Sequence, residues 1–321
     1  MIATAPGKLI ITGEYAVLEG APAIVLAVAR RAIARRNATP RGSSPFLLAV
    51  ADEIAARRGA GDPAAQAALE ISVDSRAFYH RITKLGLGSS AAVTVAATSL
   101  ALGTADHDEV LAVALAAHAR AQGPRGARGS GADIAAAVHG GTIVFSRGES
   151  PEGSEPCRVE RQRWPTSVTV LPFFTGVAAD TAQLVARVHA ARDAQRAAVE
   201  AALSAIAEAS RAACAALAAP ADLAPVALIG ALALAANAMD RLAIATGIDL
   251  VPACVTAARA ALARLGGTAK TTGAGGGDVG IAVLPATVDE AIATRLLIEA
   301  GCQPLRISLD DTGVDLRADA S

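Results

Sequence analysis

Over the first 36 residues, short apolar runs alternate with turn signals. The runs at 9–11 and 23–28 predict buried strands, since short apolar stretches bounded by turns suit a covered sheet. Between them, Gly13-Glu14-Tyr15 predicts a tight connection carrying polar side chains. Residues 37–45 read as a loop, 46–58 as a helix and 70–73 as the start of another strand. From Gly88 the pattern is helical to residue 102. A second helix follows over 108–121, opened by acidic residues that suit a helix N-terminus. A glycine- and arginine-containing loop at 122–131 leads into a helix at 132–138, then Gly140-Gly141 and a strand at 142–145. Residues 147–165 are polar with several glycines and prolines, and they predict a domain boundary. Beyond them come a strand at 168–171, long alanine-rich helices at 181–218 and 225–245, and a helix at 252–265. A glycine-rich turn at 270–277, a strand at 279–284, a helix at 288–301 and a strand at 304–309 complete the pattern. This order predicts an α+β protein of two domains, divided as 1–155 and 156–321, and not a regular βαβ array.

Composition narrows the picture. A chain of 321 residues suits two packed domains with a sizeable core. The apolar fraction of 53% is mostly alanine. The most apolar stretch, 224–239, stops short of a bilayer span, and the N-terminus has no signal-peptide pattern. Four cysteines (Cys157, Cys214, Cys254, Cys302) show no metal-ligand spacing and read as reduced core residues of a cytoplasmic protein. A net charge of −1 and an aromatic content of 2% disfavour nucleic-acid and membrane binding. Of the 29 basic residues only three are lysines: Lys8, Lys84 and Lys270. Each stands beside a glycine-containing segment, where a compact ammonium is suited to a close ligand.

Four segments can carry chemistry. The loop Gly86-Leu87-Gly88-Ser89-Ser90-Ala91 opens a helix, so free N–H groups and a positive dipole end point at whatever it holds. Its serines can donate to phosphate, or one can ligate Mg²⁺. No Gly-Lys-Ser/Thr follows, so it is not a Walker A loop. It also fits a loose Gly-x-Gly-x-x-Ala dinucleotide pattern, with Asp106 and Asp108 about twenty residues further on. Alone, the loop is equally a helix-opening turn. The second segment, 6–15, contains Lys8. The third, Gly129-Ser130-Gly131-Ala132-Asp133, puts an aspartate in the first turn of a helix, where compensating the helix dipole is its commoner role. The fourth, Lys270-Thr-Thr-Gly-Ala-Gly-Gly-Gly-Asp278, has four glycines in five residues, and that density predicts close approach to a ligand or another loop.

In this order the four segments resemble the GHMP kinases, the superfamily of galactokinase, homoserine kinase, mevalonate kinase and phosphomevalonate kinase. The resemblance implies an N-terminal domain like ribosomal protein S5 domain 2, a C-terminal ferredoxin-like domain, and a site in the cleft between them. Lys84 directly before the loop, the run Gly129 to Val138, the ending Gly275-Gly276-Gly277-Asp278 and the stretches 174–176 and 180–185 are similar to the bacterial phosphomevalonate kinase branch. Asp240-Arg241 departs from it, standing where an Asn-Arg pair is usual. The resemblance implies ATP and Mg²⁺ as cofactors and phosphomevalonate, a small anionic molecule, as acceptor. Gly86 to Ala91 would hold the ATP phosphates, with Ser90 as magnesium ligand. Asp133 and Lys8 would be catalytic. Lys84, Glu14, Tyr15, Ser130, Arg241, Ala274 and Gly275 would contact the substrate, with Arg125 and Arg128 as further anion partners. The protein would act as a monomer or homodimer. Three rivals stay open: a mevalonate kinase, a non-catalytic nucleotide- or sugar-binding relative, and a nicotinamide-dependent oxidoreductase.

Overall fold

The computed structural model describes residues 1–36, 44–80, 82–123, 129–148, 157–220 and 223–319. Strands β1 (Ile2–Thr12) and β2 (Ala23–Arg36) form a long antiparallel pair. Alternation along β1 sends Ala3, Ala5, Leu9 and Ile11 into the core, while Lys8 and Ile10 line a cleft on the other side. Helices α1 (Pro45–Arg58) and α2 (Pro63–Leu69) follow, each opened by a capping side chain and a first-turn proline. Strand β3 (Ile71–Asp74) pairs with β2, and β4 (Tyr79–His80) and β5 (Thr83–Lys84) make a small hairpin. Helices α3 (Ser89–Leu102), α4 (His107–Gln122) and α5 (Ala132–His139) pack next, before β6 (Thr142–Ser146) and β7 (Arg158–Gln162).

The second half begins with β8 (Val168–Phe174). It continues through α6 (Thr181–Ala194), α7 (Arg196–Leu217), α8 (Ala224–Thr246), α9 (Ala253–Ala263), β9 (Thr268–Thr271) and β10 (Val279–Pro285). It ends with α10 (Glu290–Glu299), β11 (Gln303–Pro304) and β12 (Asp315–Arg317). One sheet runs β12-β1-β2-β6-β7, with β3 also on β2; the other runs β11-β8-β10-β9. Every pairing among the described residues is antiparallel. That removes the dinucleotide-fold reading, which needs parallel strands joined by crossover helices. Asp106 is instead the N-cap of α4, accepting from the Glu109 amide at 2.9 Å. The α+β organisation is as expected. The main core joins Leu9, Ile11, Val95 and Leu100 with Phe174, Ile281 and Leu232, so both halves share one apolar interior.

Several elements differ from the sequence reading. The polar stretch 147–165 contains β7, whose alternation Arg-Val-Glu-Arg-Gln offers a single apolar residue to the sheet edge. Both β7 and β12 belong to the first sheet, so the sheets do not divide at residue 155. The helix read over 181–218 is broken at Gln195, which has an extended φ of −129°. Helix α8 runs 23 residues, within one residue of the 225–245 reading at each end, but its apolar stretch does not stop short of a bilayer span as read from 224–239. By length and composition it could cross a membrane, but half of its most apolar window is buried within the protein and it packs on α7. The last predicted strand shrinks to β11 plus a bridge between Val28 and Leu309. All four cysteines are free, and only Cys302 is fully buried.

Candidate active site

The cleft encloses about 420 Å³ and is lined from both halves of the chain. Its floor is the segment that precedes α3. Leu85 and Leu87 are buried and anchor it, each worth about 2 kcal/mol of apolar burial. Gly86 and Gly88 alternate with them and face the cleft, both in the left-handed region at φ +70° and +78°. The Lys8 amide donates to the Leu87 carbonyl at 2.9 Å, tying the loop to β1. Gly88 is the N-cap of α3 and supplies no capping side chain, so the first-turn N–H groups are left for a ligand. Ser90 lines the cleft; the side chains of Leu87, Ser89 and Ala91 are buried, so those three can contribute only backbone groups.

Close packing explains both glycines. A Cβ at Gly88 would lie 3.0 Å from the Lys8 side chain, and one at Gly86 would lie 2.4 Å from Asp278 Oδ2. The loop is therefore shaped around the side chains of Lys8 and Asp278. Gly86→Ala is expected to weaken binding of a nucleoside triphosphate analogue at least about tenfold, through left-handed backbone strain of about 1 kcal/mol and displacement of Asp278. Isothermal calorimetry checks this; unchanged affinity would show that the loop tolerates a side chain.

Lys8 reaches the Gly86 carbonyl with its ammonium at 3.4 Å. Burial lowers its pKa, and the nearby carboxylates of Asp133 and Asp278 oppose that shift. Asp133 sits half-buried in the first turn of α5, with Oδ1 accepting from the Ile134 amide at 3.0 Å. Ser130, just ahead, accepts from the Ala132 amide at 3.2 Å. Lys84 is exposed at the cleft and forms no salt bridge among the described residues. Arg125 and Arg128 lie outside the described residues.

Asp278 was not assigned a role from sequence, although it follows the glycine run. Its φ of +53° is unusual for a non-glycine residue. The conformation is held by its amide donating to Val177 O at 2.7 Å, its carbonyl accepting from Thr175 N at 2.9 Å, and Oδ1 accepting from Ala179 N at 3.1 Å. Burial raises the pKa of its carboxyl, with Lys8 and Lys84 pulling the other way.

Glu14 and Tyr15 line the cleft but are largely spoken for. Glu14 Oε1 is paired with Lys270, and both side chains are buried, at 0% and 1% exposure. The Tyr15 hydroxyl donates to the Ala274 carbonyl at 2.7 Å. Lys270 thus lies in β9 and not in the glycine turn where the sequence placed it. Ala274 and Gly275 do line the cleft. Arg241 does not: it is exposed on α8 and absent from the cleft wall, a correction to the expected substrate contacts. Thr181 and Ala182, at the start of α6, complete the wall, so the N-termini of α3, α5 and α6 all open on one space.

A magnesium ion fits this donor set. Among the described residues no cluster of three acidic, histidine or cysteine side chains could hold a metal alone. Mg²⁺ usually takes one or two protein ligands and fills its shell with phosphate oxygens and water. Ser90 Oγ lies 3.3 Å from His118 Nε2, a contact through which the hydroxyl can donate while its lone pairs face the cleft.

Residues 45–141 match the family model for the GHMP kinases N-terminal domain. A mevalonate kinase from Aeropyrum pernix is 32% identical over 217 residues, covering 60% of this chain and 62% of that enzyme's length. A phosphomevalonate kinase from Streptomyces sp. strain CL190 is 29% identical over 90% of this chain and 91% of that one. The structure of Streptococcus pneumoniae phosphomevalonate kinase in complex with phosphomevalonate and AMPPNP superposes with a TM-score of 0.78, at 18% identity and 96% and 99% coverage. The chain thus carries a match to the GHMP kinases N-terminal domain over residues 45–141 and is similar over most of its length to kinases of that family, phosphotransferases that use ATP.

Proposed function

We propose that the protein transfers the γ-phosphoryl group of ATP to phosphomevalonate, giving diphosphomevalonate and ADP in the mevalonate route to isoprenoids. The observation that carries this is the electrostatics of one cleft. Three helix N-termini and the ammonium groups of Lys8 and Lys84 face it, together with the carboxylates of Asp133, Asp180 and Asp278, while Glu14 is paired with Lys270. Such a space suits two polyanions brought end to end. Phosphoryl transfer asks the protein for alignment and charge neutralisation more than for covalent chemistry.

The backbone of 86–91 holds the triphosphate against the start of α3. Ser90 would help hold Mg²⁺, which would supply charge neutralisation for the phosphates. Asp133 orients the attacking oxygen of the acceptor. That oxygen belongs to a phosphate already largely ionised at neutral pH, so no strong base is needed. It forms the new P–O bond as the bond to the β-phosphate oxygen breaks, and Lys8 follows the charge on the group in flight. Lys84, without a salt bridge among the described residues, meets the acceptor's own phosphate. Ser130, Ala274 and Gly275 wall the acceptor's side of the cleft.

Mevalonate phosphorylation is the second reading, favoured by the 32% identity to the Aeropyrum pernix kinase. Coverage supports the first, because the similarity to the Streptomyces phosphomevalonate kinase extends over 91% of that enzyme. Measuring ADP release with each acceptor in parallel separates them. Phosphomevalonate should be preferred in kcat/KM by at least about 100-fold, the scale of one charged contact met or missed. Preference for mevalonate would overturn the assignment.

A further inference from the structure

Lys270 is one of three lysines in the chain, is 1% exposed, and is not part of the cleft wall. A buried ion pair is costly to form and contributes little net stability compared with apolar residues of the same shape. Its position is more informative than its energy. Lys270 stands on β9, the edge of the second sheet, and Glu14 stands at the turn leaving β1 of the first. The Lys270 ammonium also donates to the Thr271 carbonyl at 2.8 Å, fixing the backbone at the point where the glycine turn begins.

That turn has little rigidity of its own. Gly273, Gly275, Gly276 and Gly277 all have positive φ, from +66° to +156°. Within its own half it is held at its two ends, by Thr272 Oγ1 donating to Val279 O and the Asp278 amide donating to Val177 O, and in its middle by the Gly276 amide donating to Leu250 O, each at 2.7 Å. Among the described residues, three contacts tie it to the first half: the Lys270–Glu14 pair at its start, Ala274 O accepting from Tyr15 in its middle, and Asp278 against Gly86 at its end. The last is a packing contact on the phosphate loop itself. Asp278 is anchored to Val177, Thr175 and Ala179 of its own half, and the first two contacts set how the turn lies against the first half.

We propose that Lys270 is a positioning residue: its ion pair with Glu14 sets the register of the 272–278 turn over the phosphate loop, and so aligns Asp278 and Lys8 for transfer. The inference rests on the kinase reading for its kinetic consequence, though not for its structural one. A buried Lys–Glu pair has one preferred geometry, whereas a run of glycines has many, so the pair selects the productive one. A misplacement of about 1 Å at such a site costs about 100-fold in rate.

The test compares Lys270→Met with Leu284→Ala, a cavity variant in the core of the same sheet that touches neither the turn nor the cleft. Lys270→Gln serves as the milder change should the methionine variant fold poorly. Three quantities are read at a temperature well below every Tm: amide hydrogen exchange of 272–278 without ligand, binding of a nonhydrolysable ATP analogue, and kcat with phosphomevalonate. The Lys270 variants are expected to lose protection across 272–278 and to fall about 100-fold in kcat, with nucleotide affinity changed less than about threefold. Leu284→Ala should lose Tm while keeping both the turn's protection and kcat. Equal behaviour of the two variants, or normal protection of 272–278 in Lys270→Met, would overturn the proposal. If the wild type fails to phosphorylate any acceptor, the kinase reading falls, and the exchange measurement still decides whether Lys270 holds the turn.

Discussion

Asp133→Asn is expected to lower phosphoryl transfer by about 1,000-fold while leaving the affinity for a nonhydrolysable ATP analogue within a few-fold of the wild type. Asp133 stands in the first turn of α5, beside the Lys8 ammonium and across the cleft from the phosphate loop. Asparagine keeps the shape but loses the charge that acts on Lys8 and that, on the proposed mechanism, orients the incoming oxygen. The effect should therefore appear in kcat and kcat/KM alike and not in nucleotide binding. Rapid-quench single turnovers and calorimetry together check it. Near-normal turnover would remove Asp133 from the mechanism.

Lys8→Met should be almost as damaging, by about 100- to 1,000-fold, the range found when one group stabilising developing charge is removed. Lys8 packs against Gly88 and reaches Gly86 O, so on the proposed mechanism it would meet the nucleotide's terminal phosphate at the loop. The pH profile adds a sign. Burial lowers the pKa of Lys8, so the group loses its charge at a lower pH than an exposed lysine does. Activity that depends on the ammonium should decline on the alkaline side before the ordinary lysine range is reached. In Lys8→Arg, whose guanidinium stays charged, any residual activity should lack that decline. An alkaline limb unchanged in Lys8→Arg would assign it to another group.

The parts of this site that were legible in sequence are those whose chemistry is local. Gly86 to Ser90 could be read because glycines ahead of an apolar helix expose amide donors, and the structure adds that Leu85 and Leu87 anchor it. Asp133 could be read because an acidic residue follows a short Gly-Ser-Gly turn into a helix. Glu14 and Lys270 could not be joined, being 256 residues apart and brought together only by the packing of the two sheets. Asp278 was visible as the residue ending the glycine run, yet its contact with Gly86 depends on the same packing.

Helical phase explains the one misplaced substrate contact. Leu228, Leu232, Ala235, Met239 and Leu242 form the buried face of α8, and Arg241 falls off that face toward solvent. The break between α6 and α7 carries no glycine or proline, so propensity alone predicted one continuous helix. Strand β7 escaped notice because an edge strand with one valine lacks the alternation that marks a half-buried strand.

The central claim is that the cleft between Lys8, Asp133 and the 86–91 loop moves a phosphoryl group from ATP onto the phosphate of phosphomevalonate. Phosphorus NMR of the purified chain with ATP, Mg²⁺ and phosphomevalonate tests it most directly. The account predicts loss of the acceptor's single phosphate resonance and growth of a coupled pair from a new diphosphate, matched by ADP. Persistence of the phosphomevalonate signal while ATP stays intact, at enzyme concentrations that bind nucleotide, would contradict it.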